Sequence, residues 1–110
     1  MEYIEFIDPE IIYFTHSKIR SVFSGCNKTI NETIEEIRSN KIQPSSLPYI
    51  TVYYDGNNYY SQNNRRLWVF KYCKQYGLLK DNVIPVRVRK MGKNKYSTLT
   101  CSLNAKICLK

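Results

Sequence analysis

The segment at residues 49–61, YITVYYDGNNYYS, constrains the fold of this chain most strongly. It contains two runs of β-branched and aromatic residues, which are the residue types that favour β-strands. Asp55-Gly56 between the runs is a tight-turn signal, because glycine readily adopts the positive φ angles that such turns need. The segment therefore predicts a β-hairpin in the middle of the chain.

A helix is predicted upstream of this hairpin, beginning at Thr29. Thr29 is a favourable N-cap residue, and Glu32 three residues later completes a capping-box pattern. The apolar residues that follow keep the spacing of one helix face. They are Ile30, Ile34 and Ile37.

A second helix is predicted directly after the hairpin. Asn63 and Asn64 are both good N-cap residues, and Gly77 stands where a glycine commonly follows the end of a helix. The side chains between these two ends keep helical spacing. They are Leu67, Phe70, Cys73 and Tyr76.

Two further strands are predicted near the ends of the chain. EYIEFI at residues 2–7 alternates polar with apolar residues, and VIPVRVRK at 83–90 alternates valine with arginine. The order strand, helix, hairpin, helix, strand indicates an α+β fold in which helices cover a short mixed sheet. We expect one domain over residues 1–110, with a basic, irregular tail from about residue 92 in which STLTCSL is a weaker strand candidate.

Composition limits the classes of protein to consider. No stretch approaches the roughly 20 apolar residues that a membrane span needs, and residues 1–18 lack the features of a secretory signal. We therefore expect an intracellular protein, cytoplasmic or nuclear, without a membrane partner. The four cysteines contain no CxxC spacing and the chain has one histidine, so we expect reduced thiols and no metal site.

The charge of the chain is unevenly distributed. The net charge is +8, but residues 1–36 carry three basic and seven acidic residues, whereas residues 37–110 carry 14 basic and two acidic ones. A basic region of this kind attracts nucleic acid, nucleotides or acidic proteins. A lysine-rich surface without a dedicated partner is the other interpretation, and composition alone leaves both open.

The predicted start of the second helix raises the same choice locally. Arg65 and Arg66 follow the asparagines and fall in the first helical turn, where the helix dipole is positive. Cations there disfavour the helix by about 0.3–1 kcal/mol each. A bound phosphate would compensate, because backbone amides and guanidinium groups can bind the same oxygens. Alternatively, both arginines extend into water.

Several segments together resemble the ParB/sulfiredoxin superfamily. They are IRSVFS, INETIEEIRSN, LPYITVYYDGNNYYSQNNRRLWVFKYCKQYG and VIPVRVRKM, and the resemblance covers roughly Tyr3 to Met91. It implies a small ParB/sulfiredoxin-like domain whose turn before the second helix binds nucleotide phosphates, with help from an arginine ahead of the first helix. The implied ligand is a nucleoside triphosphate with magnesium. The residues at these positions are Arg20, Gln62, Asn63, Asn64, Arg65 and Arg66.

The chain departs from the family at Asn64. Sulfiredoxins have their reactive cysteine at this position, and ParB-like proteins commonly have a glutamate associated with CTP hydrolysis. An amide is neither a thiolate nucleophile nor a general base, so we expect ligand binding without sulfinic-acid reduction, and catalysis stays open. His16, close to Arg20 in the sequence, is a further candidate for donating a hydrogen bond to the phosphate, or else an ordinary hydrogen-bonded loop residue.

Two alternative functions remain at this stage. One is a nucleic-acid-binding module that uses a basic edge with stacking tyrosines. The other is a phosphotransferase or nuclease on the same scaffold. The sequence does not identify the nucleobase or the oligomeric state. The basic edge consists of Arg87, Arg89, Lys90, Lys93 and Lys95.

Overall fold

A five-stranded mixed sheet and two helices form the fold. The structure, a computed structural model, describes residues 2–15, 18–20, 29–79, 81–91, 96–97 and 100–108, with the backbone alone for 18–20 and 106–108. His16, Lys93 and Lys95 lie outside the described residues. The strands are β1 (Glu2–Ile7), β2 (Ile12–Tyr13), β3 (Lys18–Arg20), β4 (Ile50–Tyr54), β5 (Tyr59–Ser61), β6 (Ile84–Lys90) and β7 (Lys106–Cys108), and the helices are α1 (Ile30–Arg38) and α2 (Asn64–Gln75).

The sheet has the strand order β1-β6-β4-β5-β2. β1 is antiparallel to β6, β6 is parallel to β4, β4 is antiparallel to β5, and β5 is parallel to β2. β3 and β7 form a separate parallel pair. The expectation of an irregular tail from about residue 92 is therefore wrong for 106–108, and Ser102 also forms a bridge with Phe14.

The local predictions for the hairpin, for the start of α1 and for the glycine after α2 are confirmed. The Asp55 carboxylate accepts hydrogen bonds from the amides of Asn57 (2.8 Å) and Asn58 (2.7 Å), which fixes the turn between β4 and β5. Gly56 has a φ of +101°, an angle that glycine adopts at little cost. The capping box at Thr29 is present, and Gly77 follows α2 with a φ of +71°.

The hydrophobic core lies between the helices and one face of the sheet. Alternation along β6 sends Val86 and Val88 into this core and Arg87 and Arg89 to the opposite face, as the sequence predicts. The core includes Ile34 and Ile37 from α1, Leu67 and Phe70 from α2, and Ile50 and Val52 from β4. In the described part of the chain, no helix is both long and apolar enough to cross a lipid bilayer.

Two arginines of the predicted basic edge lie on a central strand of the sheet. β6 lies inside the sheet, with β1 on one side and β4 on the other, so Arg87 and Arg89 occupy a sheet face and not a sheet edge. Lys90 ends β6 and is exposed. The sequence could not show this, because the position of a strand within a sheet depends on pairing between distant segments.

Candidate functional site

Asn63 holds the N-cap position of α2, but its side chain does not cap the helix. Its Oδ1 instead accepts a hydrogen bond from the backbone amide of Thr51 in β4, at 2.8 Å. Its own backbone amide donates to Ser61 Oγ at 3.0 Å. The prediction of a side-chain cap is therefore wrong, because a strand amide takes the oxygen that would have bonded to the helix.

Asn64 is bound on both sides of its carboxamide by Thr15. Its Oδ1 accepts from the Thr15 amide at 3.0 Å, and its Nδ2 donates to Thr15 Oγ1 at 2.9 Å. The Thr15 hydroxyl donates in turn to the carbonyl oxygen of Ser61 at 2.9 Å. These bonds hold Thr15 against the beginning of α2.

The two arginines follow at once. Arg65 and Arg66 are half-buried in the first turn of α2, and this turn contains no acidic residue. Nη1 of Arg66 lies 3.4 Å from the carbonyl oxygen of Tyr49, the residue before β4. We call the group Asn63, Asn64, Arg65 and Arg66 the α2 start. Its arrangement concentrates positive charge at the positive end of a helix dipole.

Two other described residues were predicted to belong to this site, Gln62 and Arg20, and the structure describes only the backbone of Arg20. Gln62 is exposed, and its amide donates to the Thr51 carbonyl at 2.8 Å. β3, which contains Arg20, lies in contact with α2. The involvement of Arg20 in a site at this helix stays a prediction.

A cavity of about 630 Å³ opens beside the C-terminal end of α2, where Gly77 and Leu78 line it. No residue of the α2 start lines this cavity, although Tyr49, whose carbonyl oxygen lies 3.4 Å from Arg66 Nη1, does. The lining is mainly apolar, with one carboxylate from Asp81. Other lining residues are Leu47, Phe70, Leu78, Val83 and Pro85.

The residues that hold the α2 start in place carry no signal in the sequence. Thr15 is 49 positions from Asn64, Thr51 is 12 positions from Asn63, and Tyr49 is 17 positions from Arg66. Thr15 and Thr51 contribute backbone amides and Tyr49 a backbone carbonyl, which are groups that nearly every residue type has, and Thr15 also contributes its hydroxyl. Only the folded arrangement of the strands can identify them.

Lys71 is a second residue that the sequence does not single out. Its Nζ donates to the carbonyl of Leu103 at 2.9 Å and lies 5.0 Å from the centre of the Phe14 ring. Burial lowers the pKa of Lys71 to about 8. This amine ties α2 to the C-terminal segment, well away from the α2 start along the helix.

The thiols and tyrosines show structural roles. Cys73 is buried in the core, and burial raises the pKa of its thiol to about 11, which suppresses the thiolate form. The rings of Tyr54 and Tyr59 stack across the hairpin with centroids 4.6 Å apart, and Tyr60 is buried. Among the residues with described side chains, no group of three or more His, Cys, Asp or Glu could hold a metal ion.

The arginines of β6 share one carboxylate. Glu2 on β1 binds Arg87 Nε at 3.1 Å and Arg89 Nε at 2.7 Å, one guanidinium on each oxygen. Arg87 also donates to the Thr51 hydroxyl at 3.3 Å. Half of the positive charge of this pair is therefore neutralised within the chain.

No protein-family model, curated protein or solved structure matches the chain. Inference about function therefore depends on the chain's own residues and their geometry.

Proposed function

We propose that the α2 start binds a phosphate-bearing ligand and that the chain is a ParB/sulfiredoxin-like domain. One observation carries this proposal. The first turn of α2 holds two arginines, and the N-cap side chain that would normally satisfy a helix amide is bonded to β4 instead. A phosphate group supplies the negative charge and the acceptor oxygens that such a helix end favours.

The surrounding hydrogen bonds support a binding role because they fix the position of the turn. Asn63 is held by β4 and Asn64 by Thr15, so the backbone before the arginines is restrained from two directions. A restrained site loses less conformational entropy when a ligand binds. Arg20 is the proposed third basic residue of the site, because its strand β3 contacts α2.

The ligand class that we favour is a nucleotide, with a nucleoside triphosphate and magnesium as the first candidate. This preference depends on the phosphate groups, because the cavity at the C-terminal end of α2 is lined by no residue of the α2 start. The arginines of the α2 start would face the phosphates. The phosphate oxygens of the ligand would bring the magnesium ion with them.

The chemistry of Asn64 favours binding over bond cleavage. It offers no thiolate for sulfinic-acid reduction and no carboxylate for general base catalysis, and both ends of its amide are bonded to Thr15. We therefore expect no sulfiredoxin activity. ATP-dependent repair of a sulfinylated peroxiredoxin by the purified chain would contradict this expectation.

The test is a thermal-shift screen of nucleotides with and without magnesium, followed by calorimetry on the ligand that stabilises the protein. Arg66→Ala should weaken binding about tenfold or more, because a hydrogen bond to a charged group contributes roughly 1.5–3 kcal/mol. Arg38→Ala is the matched control, since Arg38 is an exposed helical arginine that pairs with Glu35 at 3.3 Å. Equal affinity of the wild type and Arg66→Ala would refute the assignment.

Nucleic-acid binding by β6 is the less supported alternative. Arg87 and Arg89 already share Glu2, so a phosphodiester would have to compete with an intramolecular carboxylate. Salt dependence separates the two functions. Binding through many phosphate contacts weakens steeply as salt increases, whereas a compact nucleotide site weakens less.

A further inference from the structure

The cavity of about 630 Å³ beside the C-terminal end of α2 is formed by three separate segments. They are the end of α2 with Gly77, the turn at 43–47, and the paired ends of β1 and β6, where Phe6 lies opposite Pro85. Small-molecule sites in proteins commonly measure about 300–1,000 Å³. The cavity is therefore large enough for a ligand of its own.

The inner wall of this cavity is part of the hydrophobic core. Phe70, Leu79 and Ile84 line it and are at most 9% exposed. Phe6 and Tyr49 also line it but are 67% and 43% exposed, which places them at its mouth. Apolar surface that is left in water around a concave apolar wall favours a ligand with an apolar body, because binding removes both surfaces from water.

The charge at the cavity is opposite in sign to the net charge of the chain. The chain has 17 basic and nine acidic residues, yet none of the described residues that line the cavity is a lysine, an arginine or a histidine. The one charged side chain among them is that of Asp81. A carboxylate attracts a cation, and these residues offer an anion no opposite charge.

The Asp81 carboxylate is available to a ligand. From residue 37 onward the chain has one other acidic residue, Asp55, which accepts hydrogen bonds from the amides of Asn57 and Asn58 and from the Tyr60 hydroxyl. Within the part of the chain that the structure describes, the Asp81 side chain has no ion pair or hydrogen bond, and the residue is exposed. Asp81 thus places an unpaired negative charge at the rim of an apolar cavity.

We propose that this cavity binds a small organic cation that consists of an apolar ring system and a protonated amine. The ring system would lie against the wall formed by Phe70 and Ile84, and the ammonium group would lie at Asp81. Gln43 and Ser45 also line the cavity, and their side-chain oxygens can accept ammonium hydrogens. Because Asp81 is exposed, the ammonium group keeps part of its hydration, which avoids the large cost of burying a charge.

The amine site is independent of the α2 start. No residue of the α2 start lines the cavity, and the two sites select ligands of opposite charge. A chain that binds an amine but no nucleotide would refute only the proposed phosphate site. A chain that binds a nucleotide but no amine would refute only the amine site.

Three probes with the same apolar body and different end groups test the amine site. They are naphthylethylamine, naphthylethanol and naphthylacetate, and nuclear magnetic resonance titration of the full chain gives the affinity for each. We expect the amine to bind about two- to fivefold more tightly than the alcohol, the contribution of an exposed ion pair, and the carboxylate to bind most weakly. Equal affinity for the amine and the alcohol, tightest binding of the carboxylate, or no binding of any probe at about 5 mM overturns the proposal.

The role of Asp81 is tested by Asp81→Asn. This variant should bind the amine no more tightly than the alcohol and should bind the alcohol as the wild type does. Glu35→Gln is the matched control, because it also removes one exposed negative charge but Glu35 does not line the cavity. If both variants weaken amine binding equally, the preference reflects the overall charge of the chain, and the proposal is overturned.

The place of the ring system is tested by Leu47→Ala, which removes apolar surface from the cavity wall. All three probes should lose about three- to tenfold in affinity, because they share the apolar body. Ile11→Ala is the control, since Ile11 is 50% exposed and does not line the cavity. Circular dichroism should show that both variants are folded. Unchanged affinities in Leu47→Ala would place the probes elsewhere on the chain and overturn the proposal.

Discussion

The two helices begin in opposite ways. At α1, Thr29 Oγ1 accepts from the Glu32 amide at 2.9 Å, and Glu32 Oε1 accepts from the Thr29 amide at 3.0 Å. At α2, the Asn63 side chain does not cap the helix, and Arg65 and Arg66 place two cations in the first turn. At the start of α1, residues within one turn thus accept the hydrogen bonds of the free backbone amides. At the start of α2, by contrast, other segments of the chain hold the residues in place.

This difference suggests separate roles for the two helix starts, one in the stability of the fold and one in ligand binding. A capping box with an acidic residue matches the helix dipole and leaves little for a ligand to add. The α2 start adds positive charge to an end that is already positive and is fixed by β4 and Thr15. In our interpretation, α1 begins in a way that stabilises the fold, and α2 begins in a way that leaves room for an anion.

The largest effect is expected at Asn64. Asn64→Ala removes both bonds to Thr15 and leaves the Thr15 amide without its acceptor, so the free energy of unfolding should fall by about 2–3 kcal/mol. Urea denaturation measures this loss. Asn64→Asp keeps an acceptor oxygen for the Thr15 amide and should lose less. A loss below about 0.5 kcal/mol for Asn64→Ala would show that the α2 start does not depend on Thr15.

A smaller effect is expected at Thr29. Thr29→Ala removes the side-chain half of the capping box and should lower the free energy of unfolding by about 1 kcal/mol. Thr29→Ser keeps the hydroxyl and should stay close to the wild type. Neither variant should alter the affinity for a ligand at the α2 start, and a change in that affinity would contradict the separation of the two helix ends.

The sequence predicts those parts of the structure that depend on neighbouring residues. The hairpin turn at Asp55, the capping box at Thr29 and the glycine after α2 each involve residues within a few positions of one another. Residue type and spacing are sufficient for such features. Alternation also predicts the buried valines and outward arginines of β6 correctly, because the period of a strand is local.

The sequence does not predict the features that depend on distant segments. It places Asn63 at the N-cap correctly but not the bond from its side chain to Thr51, because the competing amide belongs to another strand. It does not show that β1 pairs with β6 in the sheet, nor that β7 pairs with β3. In the candidate site, the sequence identifies the arginines because of their charge. Thr15 and Tyr49 can be identified as members of the site only from the folded structure.

The smallest effect, and the one that compares the two helix ends most directly, is expected at Arg65. Arg65→Glu replaces a cation by an anion in the first turn of α2, so that this turn, like that of α1, contains an acidic residue, although Arg66 remains. The ligand-free protein should become more stable by about 0.3–1 kcal/mol, because a negative charge interacts favourably with the helix dipole. Arg65→Gln, which only removes the cation, should give about half of this gain.

Two measurements on Arg65→Glu should move in opposite directions. Stability in the absence of ligand should rise, and calorimetric affinity for a phosphate-bearing ligand should fall, because the anion repels the phosphate. The gain in stability should shrink at high salt, since interactions with the dipole at an exposed helix end are screened. If stability and affinity both fall, Arg65 supports the fold, and the contrast between the two helix starts does not reflect ligand binding.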